Sequence, residues 1–274
     1  MAYLPSKPPT EHARPVPVWR VCWRLLMALL HLMRGLLTIA FLFPRLSQDQ
    51  RALRVQVWSA RLLACLGIRL VVQGESGASG PLLIVANHLS WLDITALHAA
   101  RYCRFVSKAD VARWPLIGKL ASGVGTLFIE RSQRRDALRV VRHMEQSLRA
   151  GDVLAVFPEG TTGDGTSLLP FHANLLQAAI SADAPVQPVA LQFIEQDSGQ
   201  RSAAPLYTAQ DTLLGSVWRT LRSSGIVVLI RFGQPQAAFG RERRAWAAEL
   251  QSSVEQLLQA RSLSPPEVRQ PGGR

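Results

Sequence analysis

The chain has 274 residues, a formal net charge of +12 and 48% hydrophobic residues, which is enough for one α/β domain with a sizeable core and an extension. High apolar content combined with positive charge argues against a soluble nucleic-acid-binding module and fits an anionic membrane surface. The three cysteines lack metal-ligand spacing and predict reduced thiols, hence a cytoplasmic-side location.

The N-terminal region predicts a leader followed by a long apolar helix. Residues 1–17 contain five prolines and predict a disordered leader. Residues 18–43 predict a helix about 39 Å long, enough to span a bilayer. A polar stripe about 80° wide runs along it, formed by Arg20, Arg24, His31, Arg34 and Thr38. Because a mid-bilayer arginine is costly, we expect the helix to lie in the interface or dip into one leaflet, with a single span as the alternative.

A second helix and an α/β domain are predicted beyond it. Ser47 is a suitable N-cap for a helix that ends near Leu66, before Gly67, so residues 18–66 predict a membrane-associated hairpin. In residues 67–261, strand and helix patterns alternate, which predicts a central mixed sheet flanked by helices. Strands are expected at 68–73, 82–86, 104–107, 126–129, 153–157, 186–193 and 226–232, and helices at 136–149, 173–181 and 241–261. Residues 262–274 predict a disordered tail.

The segment NHLSWLD at 87–93 is the first candidate site, at a turn from a buried strand to a helix. Five residues rotate by about 500° on a regular helix, which would separate His88 from Asp93. With His88 outside the first helical turn, the two side chains can converge. Asp93 would then fix the imidazole tautomer, and the other ring nitrogen could accept a proton from an alcohol.

Three further segments place polar residues directly after apolar strands. Residues 125–131 end in Arg131, which could clamp a phosphate or carboxylate. Residues 157–165, FPEGTTGDG, form a glycine-rich loop whose amides could cradle an anion. Residues 186–189, VQPV, could line an apolar acyl site or belong to the core.

Other chemistries have little support. The loop at 160–167 has P-loop spacing, but Thr166 stands where the phosphate-binding lysine belongs. Ser90 lies in no nucleophile elbow, and no Cys/His cluster predicts a metal.

These four blocks, in this order and spacing, resemble the glycerophospholipid acyltransferase family over roughly residues 65–195. The resemblance implies transfer of a fatty acyl group from an acyl carrier protein or coenzyme A thioester to a lysolipid hydroxyl, with no cofactor. It implies that His88 is the general base and that Asp93 orients it. It further implies that the acceptor head group is bound by Lys108, Arg131, Glu159, Gly160, Thr161 and Thr162.

The expected reaction is therefore acylation of 1-acylglycerol-3-phosphate to phosphatidic acid at the cytoplasmic face of the inner membrane. One departure favours an alternative acceptor. Many family members carry an arginine at the position of Thr162 and a lysine at that of His172. Loss of two cations weakens the case for a phosphate acceptor. The continuation TTGDG at 161–165 resembles the branch that acylates lyso-ornithine lipids, whose ammonium could pair with Asp164. A non-catalytic lipid-binding protein on the same fold is a further alternative, although both His88 and Asp93 are present.

Overall fold

The computed structural model describes residues 15–77, 80–129 and 134–260. Its helices are α1 Val18–Leu37, α2 Gln48–Leu66, α3 Leu92–Ala100, α4 Ala109–Ala112, α5 Ile117–Gly123, α6 Arg134–Arg149, α7 Leu176–Ala182, α8 Leu213–Arg222 and α9 Arg243–Gln259. Its strands are β1 Ile68–Gln73, β2 Leu82–Ala86, β3 Arg104–Lys108, β4 Leu127–Ile129, β5 Val153–Val156, β6 Val186–Glu195 and β7 Ile226–Phe232. The predicted tail, 262–274, and residues 1–14 of the predicted leader lie outside the described residues.

One seven-stranded sheet runs through the α/β domain in the order β1-β7-β6-β2-β5-β3-β4. Strands β6, β2, β5, β3 and β4 are parallel, whereas β7 pairs antiparallel with β6 and parallel with β1. The prediction of a central mixed sheet is therefore confirmed. The carboxyl ends of five strands share one edge, where open α/β sheets place their ligand sites.

Helices cover both faces of this sheet. On β2, Leu82 and Ile84 face a cluster that also contains Leu63 of α2 and Leu97 of α3. The alternate side chains of β2 join a second cluster formed with α6, α7 and α9. This arrangement buries β2 on both sides, which explains its continuous apolar sequence.

The two helices of the predicted N-terminal hairpin are present. The residues predicted to begin and end the second helix do so. Ser47 forms a capping box with Gln50 at the start of α2, and Gly67 ends the helix with a φ of 76°. Between α1 and α2, a Cβ at Gly35 would lie 2.7 Å from Trp58 Nε1, so the close approach of the two helices requires glycine. Helix α1 continues through a π-helical turn, Thr38–Leu42, and a 3₁₀ turn, Phe43–Arg45.

Two residues of the polar stripe of α1, Arg24 and His31, contact the rest of the protein, whereas Arg20, Arg34 and the large apolar side chains of the helix are exposed. Arg24 Nη1 donates to the carbonyls of Leu221 (3.0 Å) and Ser223 (3.2 Å). His31 Nε2 lies 2.9 Å from the carbonyl oxygen of Trp58, whose indole N–H donates back to the carbonyl of His31. The exposed large side chains of α1 and the following turn include Trp19, Trp23, Leu26, Leu30, Met33, Leu37 and Phe41. In the described part of the chain, one helical stretch, Val18–Arg45, is long and apolar enough to cross a bilayer.

His98, on α3, gives the fold a testable pH dependence. Its buried ring has Nε2 2.9 Å from the carbonyl oxygen of Cys103, and burial lowers its pKa to about 4. The unfolded chain binds a proton near pH 6.5, so the free energy of unfolding should fall as the pH drops from about 6.5 to 4, by about 3 kcal/mol at most. We expect His98→Gln to flatten this dependence in denaturant titrations, unlike the exposed control His143→Gln. Parallel curves for the two variants would contradict this assignment.

Candidate active site

Two of the four predicted site segments, 87–93 and 157–165, meet at the carboxyl edge of the parallel strands. The loop containing His88 follows β2, and the 157–165 loop follows the neighbouring strand β5. Lys108 ends β3, the next strand along. Segments far apart in sequence therefore surround one edge of the sheet.

His88 and Asp93 form the pair that their spacing predicts. Helix α3 begins at Leu92, so Asp93 lies in its first turn and His88 lies before the helix. His88 Nδ1 is 2.8 Å from Asp93 Oδ2, which also accepts the backbone N–H groups of Leu89 (2.6 Å) and Ser90 (2.8 Å). Asp93 is fully buried. Because the carboxylate accepts from Nδ1–H, the lone pair of the neutral imidazole is on Nε2.

Phe157 holds the plane of the His88 ring. The two rings are parallel within 4°, and their centroids are 4.0 Å apart. The His88 side chain is 20% exposed, and Nε2 has no hydrogen-bond partner among the described residues. A stacked ring with one nitrogen bound to a buried carboxylate has a fixed orientation, which a general base requires.

Glu159 is hydrogen-bonded to the backbone of His88. Its carboxylate accepts the backbone N–H of His88 at 2.7 Å and that of Leu169 at 2.9 Å. The backbone N–H of Gly163 donates to the carbonyl of His88 at 2.8 Å. Burial raises the pKa of Glu159, against the opposite effect of the two backbone donors. With both oxygens occupied and the residue buried, the geometry points to a positioning role.

This role leads to a prediction for Glu159→Gln. A glutamine amide would direct its NH₂ toward one of the two backbone N–H donors, so one hydrogen bond is lost and two donors face each other. We expect kcat to fall about 10-fold, with stability lowered by about 1–3 kcal/mol and KM for the acceptor little changed. Steady-state kinetics and thermal unfolding check this. A raised acceptor KM with unchanged stability would instead support the head-group contact implied by the family resemblance.

Asn87 and helix α8 hold the other side of the loop. The Asn87 amide donates to the carbonyl of Leu191 at 3.0 Å and accepts its N–H at 2.8 Å, which joins the end of β2 to β6. The indole N–H of Trp91 donates to Ser216 Oγ on α8 at 3.2 Å. Helix α8 was not predicted from the sequence. The signal for it was Thr212, a suitable N-cap, followed by the apolar residues Leu214 and Trp218 at a helical spacing of four.

Four further predicted acceptor residues, Lys108, Gly160, Thr161 and Thr162, lie around the same edge. Lys108 is exposed, and Gly160 adopts a φ of 74° in the turn after Phe157. Thr161 is exposed and Thr162 is half-buried. Arg131, predicted to clamp the head group, lies outside the described residues.

The VQPV segment belongs to the core. Its sequence had left open whether it lines an acyl site or packs in the core. Val186, Gln187 and Val189 are fully buried. Gln187 donates to the carbonyls of Glu75 (2.9 Å) and Gly233 (2.8 Å) and accepts the N–H of Gly77 (2.9 Å). The segment therefore stabilises the opposite edge of the sheet.

Fold and site together define an α/β protein with an oriented histidine at the carboxyl edge of its sheet. The profile of the family described as Acyltransferase matches residues 69–192. The lyso-ornithine lipid O-acyltransferase of Pseudomonas aeruginosa is 39% identical over 201 residues, covering 73% of this chain and 76% of that protein. The chain belongs to this acyltransferase family, and it is an acyltransferase.

Relatives named for two different acceptors are similar to it. The 1-acyl-sn-glycerol-3-phosphate acyltransferase of Neisseria meningitidis serogroup B is 36% identical over 200 residues, covering 72% of this chain and 77% of that protein. The lyso-ornithine lipid O-acyltransferase of Brucella abortus is 32% identical over 247 residues, covering 85% and 92%. The crystal structure of the 1-acyl-sn-glycerophosphate acyltransferase from Thermotoga maritima covers 90% of this chain and 98% of its own, with a TM-score of 0.67 and 19% identity. That likeness supports the fold.

Proposed function

We propose that this acyltransferase moves a fatty acyl group from a thioester to the hydroxyl of a lyso-ornithine lipid. The observation that carries the acyl transfer is the His88–Asp93 pair, which is joined at 2.8 Å and leaves Nε2 as the basic nitrogen. The acceptor assignment rests on Thr162 and His172, which stand where a phosphate-binding pattern has cations. The Pseudomonas and Brucella relatives carry the same acceptor in their names.

The proposed chemical step is direct attack without an acyl-enzyme. His88 Nε2 takes the proton of the acceptor hydroxyl as its oxygen attacks the thioester carbon. The carbon–sulfur bond then breaks, and the leaving thiolate takes the proton from the imidazolium. Asp93 stabilises the transient positive charge on the ring through Nδ1–H.

A phosphate acceptor is the second candidate. The Neisseria relative is named for 1-acyl-sn-glycerol-3-phosphate. Lys108 is exposed at the same edge, with no ion pair within the described residues, so one cation is available for a phosphate. The sequence expectation of phosphatidic acid formation therefore stays a testable alternative.

The donor and the membrane location are part of the proposal. The donor is an acyl carrier protein or coenzyme A thioester, used at the cytoplasmic face of the inner membrane. The outward apolar face of α1 supports membrane contact. Interfacial contact is favoured over a span because the N-terminal helix touches the α/β domain at both ends: Arg24 donates to α8, and Ile39, in the π-helical turn after α1, lies against Gly123 of α5. A helix that crossed the bilayer would lose these two contacts with the domain.

The first experiment offers a labelled acyl thioester to detergent-solubilised protein with lyso-ornithine lipid and 1-acylglycerol-3-phosphate in parallel. We expect kcat/KM to be higher for the lyso-ornithine lipid. Preferential turnover of the phosphate acceptor would overturn the acceptor assignment and leave the acyl transfer intact. Turnover of neither acceptor would contradict the lysolipid proposal.

Restoring the missing cations should change acceptor preference. A charge-assisted hydrogen bond contributes about 1.5–3 kcal/mol, so Thr162→Arg with His172→Lys should raise the phosphate-to-ornithine ratio of kcat/KM by about 10-fold or more. The matched control is Ser167→Arg, which adds a charge at an exposed position farther along the same loop. Equal ratios for the double variant and the control would contradict a specific role for positions 162 and 172.

A further inference from the structure

Helix α8 carries an exposed apolar face outside the N-terminal hairpin. Leu214 is 81% exposed and Trp218 is 42% exposed. Four residues apart, they lie within about 40° of each other around the helix. Leu221 continues this face by one turn, yet it is buried.

The face continues the interface between α8 and α1. Leu221 packs in the cluster that contains Val16 and Val21. The carbonyl of Arg222 accepts the N–H of Val16 at 2.6 Å, and that of Leu221 accepts from Arg24 at 3.0 Å. The last turn of α8 is therefore covered by the start of α1, while its first turns stay uncovered. In the same part of α1, Trp19 and Trp23 are exposed. Both helices therefore carry exposed large apolar side chains within about one helical turn of the residues that join them.

The opposite face of α8 holds the segment that covers the His88 loop. Arg219 Nε donates to the carbonyl of Ala204 at 3.0 Å, and its Nη1 pairs with Asp211 at 2.7 Å. Ser216 Oγ accepts from Trp91 at 3.2 Å and donates to the carbonyl of Leu206 at 3.3 Å. The next residue, Tyr207, donates its N–H to the carbonyl of Leu89 at 2.9 Å.

We propose that the Leu214–Trp218 face of α8 is a second contact with the lipid bilayer, and that seating α8 there fixes the 204–211 segment against the His88 loop. Tryptophan is favoured at the membrane–water interface, and leucine beside it adds apolar area. This inference rests on the proposed membrane location of the enzyme. It makes α8 a positioning element that couples lipid contact to the orientation of the base.

The test compares full-length variants on vesicles of phosphatidylethanolamine and phosphatidylglycerol that contain the lysolipid acceptor. For Leu214→Ser with Trp218→Ser, we expect vesicle co-sedimentation and turnover on vesicles to fall about 10-fold or more. The control Phe239→Ser removes an 88% exposed side chain from the loop after β7 and should leave both unchanged. Leu214→Trp should increase vesicle binding, which tests the contact in the opposite direction.

Coupling to the site is tested by Ser216→Ala, which removes the acceptor of the Trp91 N–H. This variant should keep vesicle binding and lower kcat on vesicles about 5-fold, since one neutral hydrogen bond contributes about 1 kcal/mol. If the double serine variant behaves like Phe239→Ser on vesicles that wild-type protein binds, the lipid contact is wrong. If wild-type protein does not bind the vesicles, the membrane proposal itself fails, and with it this inference.

Discussion

Replacing His88 by alanine is expected to lower the rate of acyl transfer by about 10²–10⁴-fold while the fold is retained. The loss corresponds to about 3–5 kcal/mol of transition-state stabilisation, because no other group replaces Nε2 as proton acceptor. The loop should persist, since Asp93 still accepts the N–H groups of Leu89 and Ser90, and Glu159 still accepts the backbone N–H of residue 88. Single-turnover rates measured with saturating acceptor and donor check the prediction.

The matched control is His143→Ala, which removes an exposed histidine from α6 and should keep wild-type rates. Circular dichroism and the thermal unfolding midpoint should be the same for both variants. If folded His88→Ala protein retained wild-type turnover, histidine base catalysis at this site would be wrong.

Replacing Asp93 by asparagine is expected to lower kcat by about 100-fold with little change in KM. The two backbone donors at Leu89 and Ser90 select the amide oxygen for the position of Oδ2, so the loop geometry is kept. The negative charge that stabilises the imidazolium is lost. The amide NH₂ must then occupy the place of Oδ1, which is buried without a hydrogen-bond partner in the described chain, and this adds a modest cost in stability.

The double variant His88→Ala with Asp93→Asn separates this mechanism from an independent role of Asp93. If Asp93 acts through His88, the double variant should be no slower than His88→Ala alone. Multiplicative losses would show that Asp93 contributes separately. The exposed control Asp110→Asn should leave the rate unchanged.

Much of the site could be predicted because its signals are local. The five-residue spacing of His88 and Asp93 can be judged from one strand-to-helix turn, and the pair forms as expected at 2.8 Å. The Glu159 loop is visible as a glycine-rich stretch after a strand. The contact of Glu159 with the backbone of His88 joins two strands of the sheet and has no signature in either segment.

The first helix also has a feature that its own sequence predicts and contacts that it does not. Its sequence indicates a polar stripe along an apolar rod, but the partners of that stripe are the last turn of α8 and Trp58 of α2. The pattern within one segment shows that the helix has a polar face. Hydrogen bonds to carbonyl groups elsewhere in the chain decide which way that face points. Here Arg24 and His31 are turned toward the protein, and the large apolar side chains of the helix are exposed.

The sequence by itself determined the order of the seven strands, the family, and the identity of the histidine–aspartate pair, because these depend on residue types at short spacing. Only the tertiary structure decided that VQPV is core, that Glu159 is bound to backbone, and that α8 lies between α1 and the His88 loop. Those outcomes depend on contacts between residues about 70 to 200 positions apart. Such contacts are set by packing across the sheet, which local patterns do not encode.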